Sequence, residues 1–143
     1  MKNLWNDGEA EKLVADYAKK GVARDLALRV YTTRLLGGEP RLVLHGGGNT
    51  SSKIWQKDPL TGEDVEVLWV KGSGGDSASI KLDGFATLYM DKLRALKGLY
   101  RGVEHEDEMV GYLPHCTFNL NPRAASIDTP LHAFVPKPYV DHM

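Results

Sequence analysis

The chain has 143 residues, which is the size of one ordinary domain or of part of a larger one. Hydrophobic residues make up 42% and charged residues 26%, so a wholly disordered or collagen-like chain is excluded. The formal net charge of −1 lacks the basic field that nucleic-acid binding needs, and no apolar run approaches the roughly 20 residues of a membrane span.

The N-terminus and the cysteine content favour a cytoplasmic protein. The first residues lack the apolar core of a signal peptide. Cys116 is the only cysteine, so an internal disulfide and a multi-cysteine metal site are excluded. Glycine is over-represented, with 15 residues against roughly 7% in average proteins, and its short clusters predict places where the backbone approaches something closely.

A helical lead-in is predicted over about residues 9–37. Apolar residues recur there at helical spacing, and Gly21 divides the segment into two helices. Asn6 followed by Glu9 resembles a capping box. Gly37-Gly38 is typical of a C-terminal cap, so the second helix is expected to end there.

A short apolar run, Leu42-Val43-Leu44, predicts a buried strand that leads into a glycine-rich turn. The turn, Gly46-Gly47-Gly48-Asn49-Thr50-Ser51, offers backbone N–H groups, an amide and hydroxyls, which together can hold an anion. A tight turn without a ligand explains the same residues, so both interpretations are open. The spacing is neither Gly-x-Gly-x-x-Gly nor a Walker loop, which disfavours nucleotide binding.

Residues 53–70 predict a hairpin with a long loop at Asp58-Pro59-Leu60-Thr61-Gly62. The second strand ends at another turn, Lys71-Gly72-Ser73-Gly74-Gly75-Asp76. We expect the two turns to lie at the same edge of one sheet and to share an anion site. Lys53 and Lys71 are candidates for the positive charge, although solvated surface lysines give the same sequence signal.

The second half of the chain alternates short predicted strands and helices. Residues 85–89 and 139–143 resemble strands, and residues 91–96 and 104–118 resemble helices. Asp128-Thr129-Pro130 is a typical helix start. Asp128 is therefore a candidate N-cap and a candidate acid–base carboxylate, two roles that are compatible because a cap position also exposes the carboxylate, and His132 shares its helical face.

Four motifs occur in order along the chain and are more specific together than alone. They are Gly48-Asn49-Thr50-Ser51, Lys71-Gly72-Ser73-Gly74, Ser126-x-Asp128-x-Pro130-x-His132 and Val140-x-His142. This combination resembles the class II aldolase/adducin family. The longer strings 45–51 and 68–76 look closer still to the aldolase part of bifunctional rhamnulose-1-phosphate aldolase/short-chain dehydrogenase proteins.

The fold that the resemblance implies is α/β, a three-layer α/β/α sandwich with a central, mostly antiparallel sheet. Residues 1–143 would be the N-terminal part of a single domain of this kind. The activity that it implies is zinc-dependent cleavage of a ketose 1-phosphate, of the rhamnulose 1-phosphate type, to dihydroxyacetone phosphate and an aldehyde such as lactaldehyde.

The resemblance also implies roles for individual residues. Asp128 matches the catalytic carboxylate, where relatives more often have Glu, and His142 matches the first histidine of the metal pair. Ile127 stands where some relatives have a second phosphate-binding serine. The residues that match the phosphate-binding positions are Asn49, Thr50, Ser51, Ser73, Gly74 and Ser126.

Several alternatives are open at this point. Relatives include pentulose-phosphate epimerases, which use the same bond cleavage, and non-catalytic adducin-like modules. The sequence holds neither the remaining metal histidines nor the dinucleotide turn of a dehydrogenase, so we expect an N-terminal fragment that is inactive alone. We also expect a small sugar phosphate as partner, no nucleic acid or membrane, and a homo-oligomer.

Overall fold

Two helices come first along the chain, followed by three strands, three short helices and a final strand. The computed structural model describes residues 2–120 and 123–143. The helices are α1 (Asp7–Ala18), α2 (Arg24–Gly37), α3 (Met90–Ala95), α4 (Glu108–Tyr112) and α5 (Thr129–Phe134). The strands are β1 (Asn49–Lys57), β2 (Asp64–Lys71), β3 (Phe85–Tyr89) and β4 (Tyr139–His142).

The strands form one sheet in the order β3-β2-β1-β4, and each neighbouring pair is antiparallel. Ser51 of β1 pairs with Val70 of β2, and Asn49 pairs with His142 of β4. The start of β1, the end of β2 and the end of β4 therefore meet at one end of the sheet. Residues far apart in the chain come together at this end.

Helices cover both faces of the sheet. On one face, Val30 of α2 belongs to the same apolar cluster as Phe85 of β3. On the other face, Ala86 clusters with Leu93 of α3 and Ala133 of α5. Successive residues of a strand point to opposite faces, which is why the neighbours Phe85 and Ala86 belong to different cores. This arrangement confirms the predicted α/β class.

The first half of β1 is polar and fully buried. Residues 49–52 all lie inside the protein, although the apolar pattern predicted a strand only from residue 53. Their partners come from neighbouring elements: the Thr33 and Thr50 hydroxyls lie 2.6 Å apart, and the Arg29 guanidinium donates to Ser52 Oγ at 3.2 Å. These hydrogen bonds offset the loss of water around buried polar groups.

The predicted strand at Leu42-Val43-Leu44 is wrong. The amides of Leu42 and Val43 donate to the Glu39 carbonyl, so the segment forms a turn after α2. Val43 is buried while Leu44 is 76% exposed. A run of three apolar residues is too short to distinguish a strand from a partly buried turn. The first glycine turn therefore precedes strand β1 instead of following a strand.

The other predicted elements are confirmed, with one difference in length. The N-cap at Asn6, the break at Gly21 and the hairpin all form, and Asn6 Oδ1 accepts from the Glu9 amide at 3.1 Å. The helix predicted over residues 104–118 is wrong in extent, because α4 is short and a 3₁₀ turn replaces it from Leu113. Pro114 has no N–H to continue an α-helical hydrogen-bond ladder. Among the described residues, no helix is both long and apolar enough to cross a membrane.

We predict that Gly37→Ala destabilises the fold by about 1–3 kcal/mol. A Cβ at Gly37 would overlap the backbone of Ser77 and Ala78, which the end of α2 contacts directly. Gly111 in α4 is a matched control, since a Cβ there meets nothing within 4 Å. We expect Gly111→Ala to be neutral or stabilising. Urea unfolding measures both changes, and equal stability of the two variants would contradict the predicted close packing.

Candidate functional site

An amide, a hydroxyl and a carboxylate meet where β1 begins and α5 begins. The Asn49 Nδ2 group donates to Asp128 Oδ2 at 2.6 Å and to Ser126 Oγ at 2.9 Å. Ser126 Oγ lies 3.3 Å from the same Asp128 oxygen. Asn49 and Ser126 are buried, whereas Asp128 is half-buried. We name these three residues the Asn49 cluster.

Asp128 stands at the start of α5, as predicted, but its carboxylate does not cap the helix. It instead accepts from Asn49, 79 positions away in sequence. The turn before α5 is stabilised by Thr129, whose hydroxyl donates to the Ser126 carbonyl at 2.6 Å. Asp128 therefore occupies the predicted N-cap position without capping the helix through its carboxylate, and the residue is half-buried.

The second glycine turn lies directly beside the Asn49 cluster. The Ser73 amide donates to the Ala124 carbonyl at 3.0 Å, and Gly72 forms an isolated bridge with Ala125. Ser73 and Gly74 are exposed, and Gly74 has a φ of +69°. The segment that carries Ser126 therefore joins the turn after β2 to the start of β1.

The two turns also contact each other, as expected from the sequence. Lys71 Nζ donates to the Gly46 carbonyl at 3.3 Å, and Ser77 Oγ donates to the Gly47 carbonyl at 3.2 Å. Within residues 2–120 and 123–143, the amides of Gly48, Gly74 and Gly75 donate to no recorded acceptor. Several backbone N–H groups are thus available at one end of the sheet.

Thr50 and Ser51 do not present their hydroxyls to this surface. Thr50 points to the α2 face of the sheet, where its hydroxyl pairs with that of Thr33. Ser51 Oγ lies 2.8 Å from Nδ1 of His132, and both residues are fully buried. Each hydroxyl is engaged inside the protein and does not point to the turns, so the phosphate-binding role of Thr50 and Ser51 stays a prediction that these hydroxyls do not support.

Lys71 is a buried ammonium at the junction of the two turns. Its side chain is only 1% exposed, and no ion pair within 4 Å is found for it among the described residues. Burial lowers its pKa, while the nearby carboxylates of Asp76 and Asp128 favour the charged form. From the sequence, Lys71 could be either a charge for an anion site or a solvated surface lysine. Its burial excludes the surface interpretation.

Lys53, the other candidate for the positive charge of the anion site, binds backbone carbonyl groups instead. Its ammonium donates to the backbone carbonyls of Val135 and Lys137, and the second of these distances is 2.9 Å. It ties the segment after α5 to the sheet. Lys53 is therefore not one of the groups that meet at the Asn49 cluster.

The sequence singled out His132 but did not indicate its burial or its partner. Its ring is fully buried, and in the part of the chain that the structure describes its Nε2 has no hydrogen-bond partner. Burial, followed by the neighbouring His142, lowers the pKa of His132 to about 4. The ring is therefore neutral at pH 7. The four-residue spacing from Asp128 placed it on the right face but did not indicate Ser51 as its partner.

His142 pairs with Asn49 across the β1–β4 ladder, and its ring lies 6.3 Å from that of His132 between centroids. Its side chain is exposed. Among residues 2–120 and 123–143 no group of three His, Cys, Asp or Glu side chains can hold a metal ion. A zinc site needs three protein ligands, so these residues do not by themselves fit zinc.

Comparison with solved structures gives a match over nearly the whole chain. The N-terminal class II aldolase domain of a conserved protein from Thermoplasma acidophilum superposes with a TM-score of 0.80 and is 34% identical. The fold is that of a class II aldolase domain. The match covers 99% of this chain and 59% of that one.

A curated relative is similar in sequence. YuxG of Bacillus subtilis (strain 168), described as an uncharacterized oxidoreductase, is 39% identical over 142 residues. The match covers 99% of this chain and 19% of that protein, so the chain spans about a fifth of the length of the relative. No family model matches the chain.

We predict that stability falls in mild acid because of His132. Its pKa is lowered from 6.5 to about 4 in the folded state, so the unfolded state binds more protons between these values. Stability from this group is complete above pH 6.5 and is lost as the pH falls toward about 4. From about pH 7.5 to about pH 5 the expected loss is about 2 kcal/mol.

Urea unfolding at the two pH values measures this loss. His132→Gln removes the titrating ring while keeping a buried amide, so its stability should change less over the same interval. An equal change in the variant and the wild type would assign the pH dependence to other groups.

Proposed function

We propose that this chain is part of a metal-dependent class II aldolase that cleaves a ketose 1-phosphate to dihydroxyacetone phosphate and an aldehyde. The observation that carries the proposal is the Asn49 cluster, which lies beside two converging glycine turns within a class II aldolase fold. The resemblance of strings 45–51 and 68–76 to rhamnulose-1-phosphate aldolases is what suggests rhamnulose 1-phosphate as the substrate and lactaldehyde as the aldehyde.

The phosphate-binding part of the site has three kinds of donor. The backbone amides of Gly48, Gly74 and Gly75, which have no hydrogen-bond acceptor among the described residues, would donate to the phosphate, as amides do in anion-binding turns. The side chains of Asn49, Ser73 and Ser126 add directed hydrogen bonds. Lys71 supplies the positive charge from beneath the turns, and a bound phosphate would compensate the cost of burying its ammonium.

Asp128 is proposed as the acid–base group. Its Oδ2 atom is held by the Asn49 amide, which fixes the direction of the carboxylate before a substrate binds. The Oδ1 atom has no recorded hydrogen bond among the described residues and can exchange a proton with a substrate hydroxyl. We further propose that the complete enzyme binds zinc through His142 and through ligands outside these 143 residues.

Asp128→Asn should lower kcat of the complete enzyme by about 10²–10⁴-fold, because the amide cannot exchange the proton. KM should change little, since the side chain keeps its size and a partner for Ser126. A coupled assay of dihydroxyacetone phosphate release measures this, with Asp128→Glu as the matched variant that retains a carboxylate. The 143-residue chain alone is expected to release no dihydroxyacetone phosphate.

The same assay separates the rival functions. Conversion of the substrate to an epimer without release of aldehyde would favour a sugar-phosphate epimerase. The absence of any turnover and of zinc in the complete protein would favour a non-catalytic adducin-like module, against the proposal.

Lys71→Met should weaken the binding of inorganic phosphate by about 10- to 100-fold, because one charge-assisted contact is lost. Nuclear magnetic resonance titration of the 143-residue chain measures the affinity. Lys71→Arg keeps the charge and should bind more tightly than Lys71→Met. Lys57→Met removes an exposed charge at the far end of β1 and is the control for net charge. Equal affinity of Lys71→Met and Lys57→Met would contradict the role of Lys71.

A further inference from the structure

Strand β4 carries His142 to the candidate site, although little apolar burial holds this strand in place. Three of its four residues are exposed, and Val140 is partly buried. In the sheet formed by the described residues, β4 lies at the edge and has β1 as its neighbour. An edge strand without a buried apolar face has a weakly specified register. Apolar packing therefore does not explain the position of His142.

The register of β4 decides which of its side chains faces the Asn49 cluster. Asn49 pairs with His142, and Thr50 pairs with Asp141. Paired residues of an antiparallel ladder share a face, so His142 lies on the face of Asn49. Asp141 lies with Thr50 on the opposite face, towards α2. A slip of one residue would exchange these faces and place a carboxylate where the imidazole belongs.

Arg29 of α2 lies over the seam between β1 and β4. It is 7% exposed, and its guanidinium forms an ion pair with the Asp141 carboxylate. The same group donates from Nε to Ser52 Oγ of β1 at 3.2 Å and lies 5.6 Å from the centroid of the Tyr139 ring. Ser52 and Tyr139 are partners in the ladder. One side chain therefore contacts both strands on the α2 face.

The ion pair between Arg29 and Asp141 favours one register because the guanidinium is buried. A buried charge that loses its partner is costly, whereas the half-exposed carboxylate can return to water. A slip of one residue would place Val140 or His142 beside Arg29. A slip of two residues would move Asp141 by about 7 Å along the strand. Neither slip restores the ion pair.

The entry into β4 is held separately, by Lys53. Its amide and its ammonium donate to backbone carbonyls within residues 135–138. These bonds fix the segment that leads into the strand. Arg29 acts further along, at Asp141, which directly precedes His142. The two contacts therefore hold opposite ends of a short edge strand.

We propose that Arg29 is a positioning residue for the proposed active site. Its ion pair with Asp141 fixes the register of β4 and keeps His142 on the face of the Asn49 cluster. The inference rests on the proposed function for the role of His142 in the reaction. The register itself can be measured without any substrate.

Nuclear magnetic resonance of the 143-residue chain measures the register. The Lys53 amide donates to the Pro138 carbonyl at 2.8 Å, which makes these residues a hydrogen-bonded pair. Since the two kinds of pair alternate, Thr50 and Asp141 form a non-hydrogen-bonded pair with closely spaced α-carbons. We expect a nuclear Overhauser effect between their α-protons in the wild type. We also expect slow exchange of the Val140 amide, which bonds to β1.

Arg29→Met keeps the aliphatic stem and removes the guanidinium. We expect this Overhauser effect to be lost and the Val140 amide to exchange about tenfold faster, because β4 opens locally. Arg34→Met is the matched control. Arg34 also lies in α2, but its Nε donates to the Ile80 carbonyl at 2.7 Å, in the segment before β3. The control should keep both signals.

Asp141→Leu breaks the same ion pair from its half-exposed side. This variant keeps the test decisive if Arg29→Met does not fold. It should accelerate exchange of the Val140 amide to a similar extent. Slow exchange in a folded Asp141→Leu chain would overturn the inference.

Kinetics of the complete enzyme test the consequence for the reaction. Arg29→Met should lower kcat by about 10- to 100-fold, as is typical when a group that orients a site residue is removed. KM should change little, because neither glycine turn bonds to Arg29 in the part of the chain that the structure describes. Arg34→Met should keep both constants. The coupled assay of dihydroxyacetone phosphate release measures them.

The outcomes separate the role of Arg29 from the proposed function. Equal Val140 exchange in the Arg29→Met and Arg34→Met chains overturns the inference and leaves the proposed function standing. A lost register with unchanged kcat also overturns it, because Arg29 would then support the fold alone. If the wild-type complete enzyme releases no dihydroxyacetone phosphate, the proposed function fails, and the role of Arg29 in the reaction fails with it.

Discussion

The hydrogen bond from the Asn49 amide to the Asp128 carboxylate is the interaction on which the candidate site depends. It joins the start of β1 to the start of α5 and holds the acid beside both glycine turns. Because the donor is buried, loss of the carboxylate would leave one of the two N–H groups of the Asn49 amide without an acceptor, which costs more than the bond itself contributes. Gly48 brings the chain to this point at a φ of +67°, where a Cβ would overlap Val43.

Buried hydroxyl groups in β1 support the bond between Asn49 and Asp128 by fixing the two helices that pack on this strand. Thr50, Ser51 and Ser52 are buried and each bonds to a helix, through Thr33, His132 and Arg29 respectively. Such contacts add little net stability, but wrong packing would leave several groups without partners. They therefore fix α2 and α5 on opposite faces of β1. The hydrogen bonds of Thr50, Ser51 and Ser52 therefore help to position the residues of the site. The apolar cores alone would not define those positions.

Much of the architecture follows from local patterns. The hairpin, α3, α5 and β4 were predictable because turn residues and apolar periodicity act over a few positions. The segment at Leu42-Val43-Leu44 and the polar start of β1 were not predictable in this way. The polar start of β1 depends on partners from distant elements, such as Arg29 for Ser52, whereas the segment at residues 42–44 is a turn closed by local bonds to the Glu39 carbonyl that three apolar residues do not indicate.

By itself the sequence determined the order of the motifs, the two glycine turns and the identity of the acid at position 128, because these are matters of residue type and spacing. Only the tertiary structure decided that Lys71 is buried at the junction of the turns, that Thr50 and Ser51 face inward, and that a buried guanidinium lies over the seam of β1 and β4. The physical reason is that burial and pairing arise between segments as much as 112 residues apart, as between Arg29 and Asp141. No local pattern encodes which hydroxyl or ammonium loses its water when those segments meet.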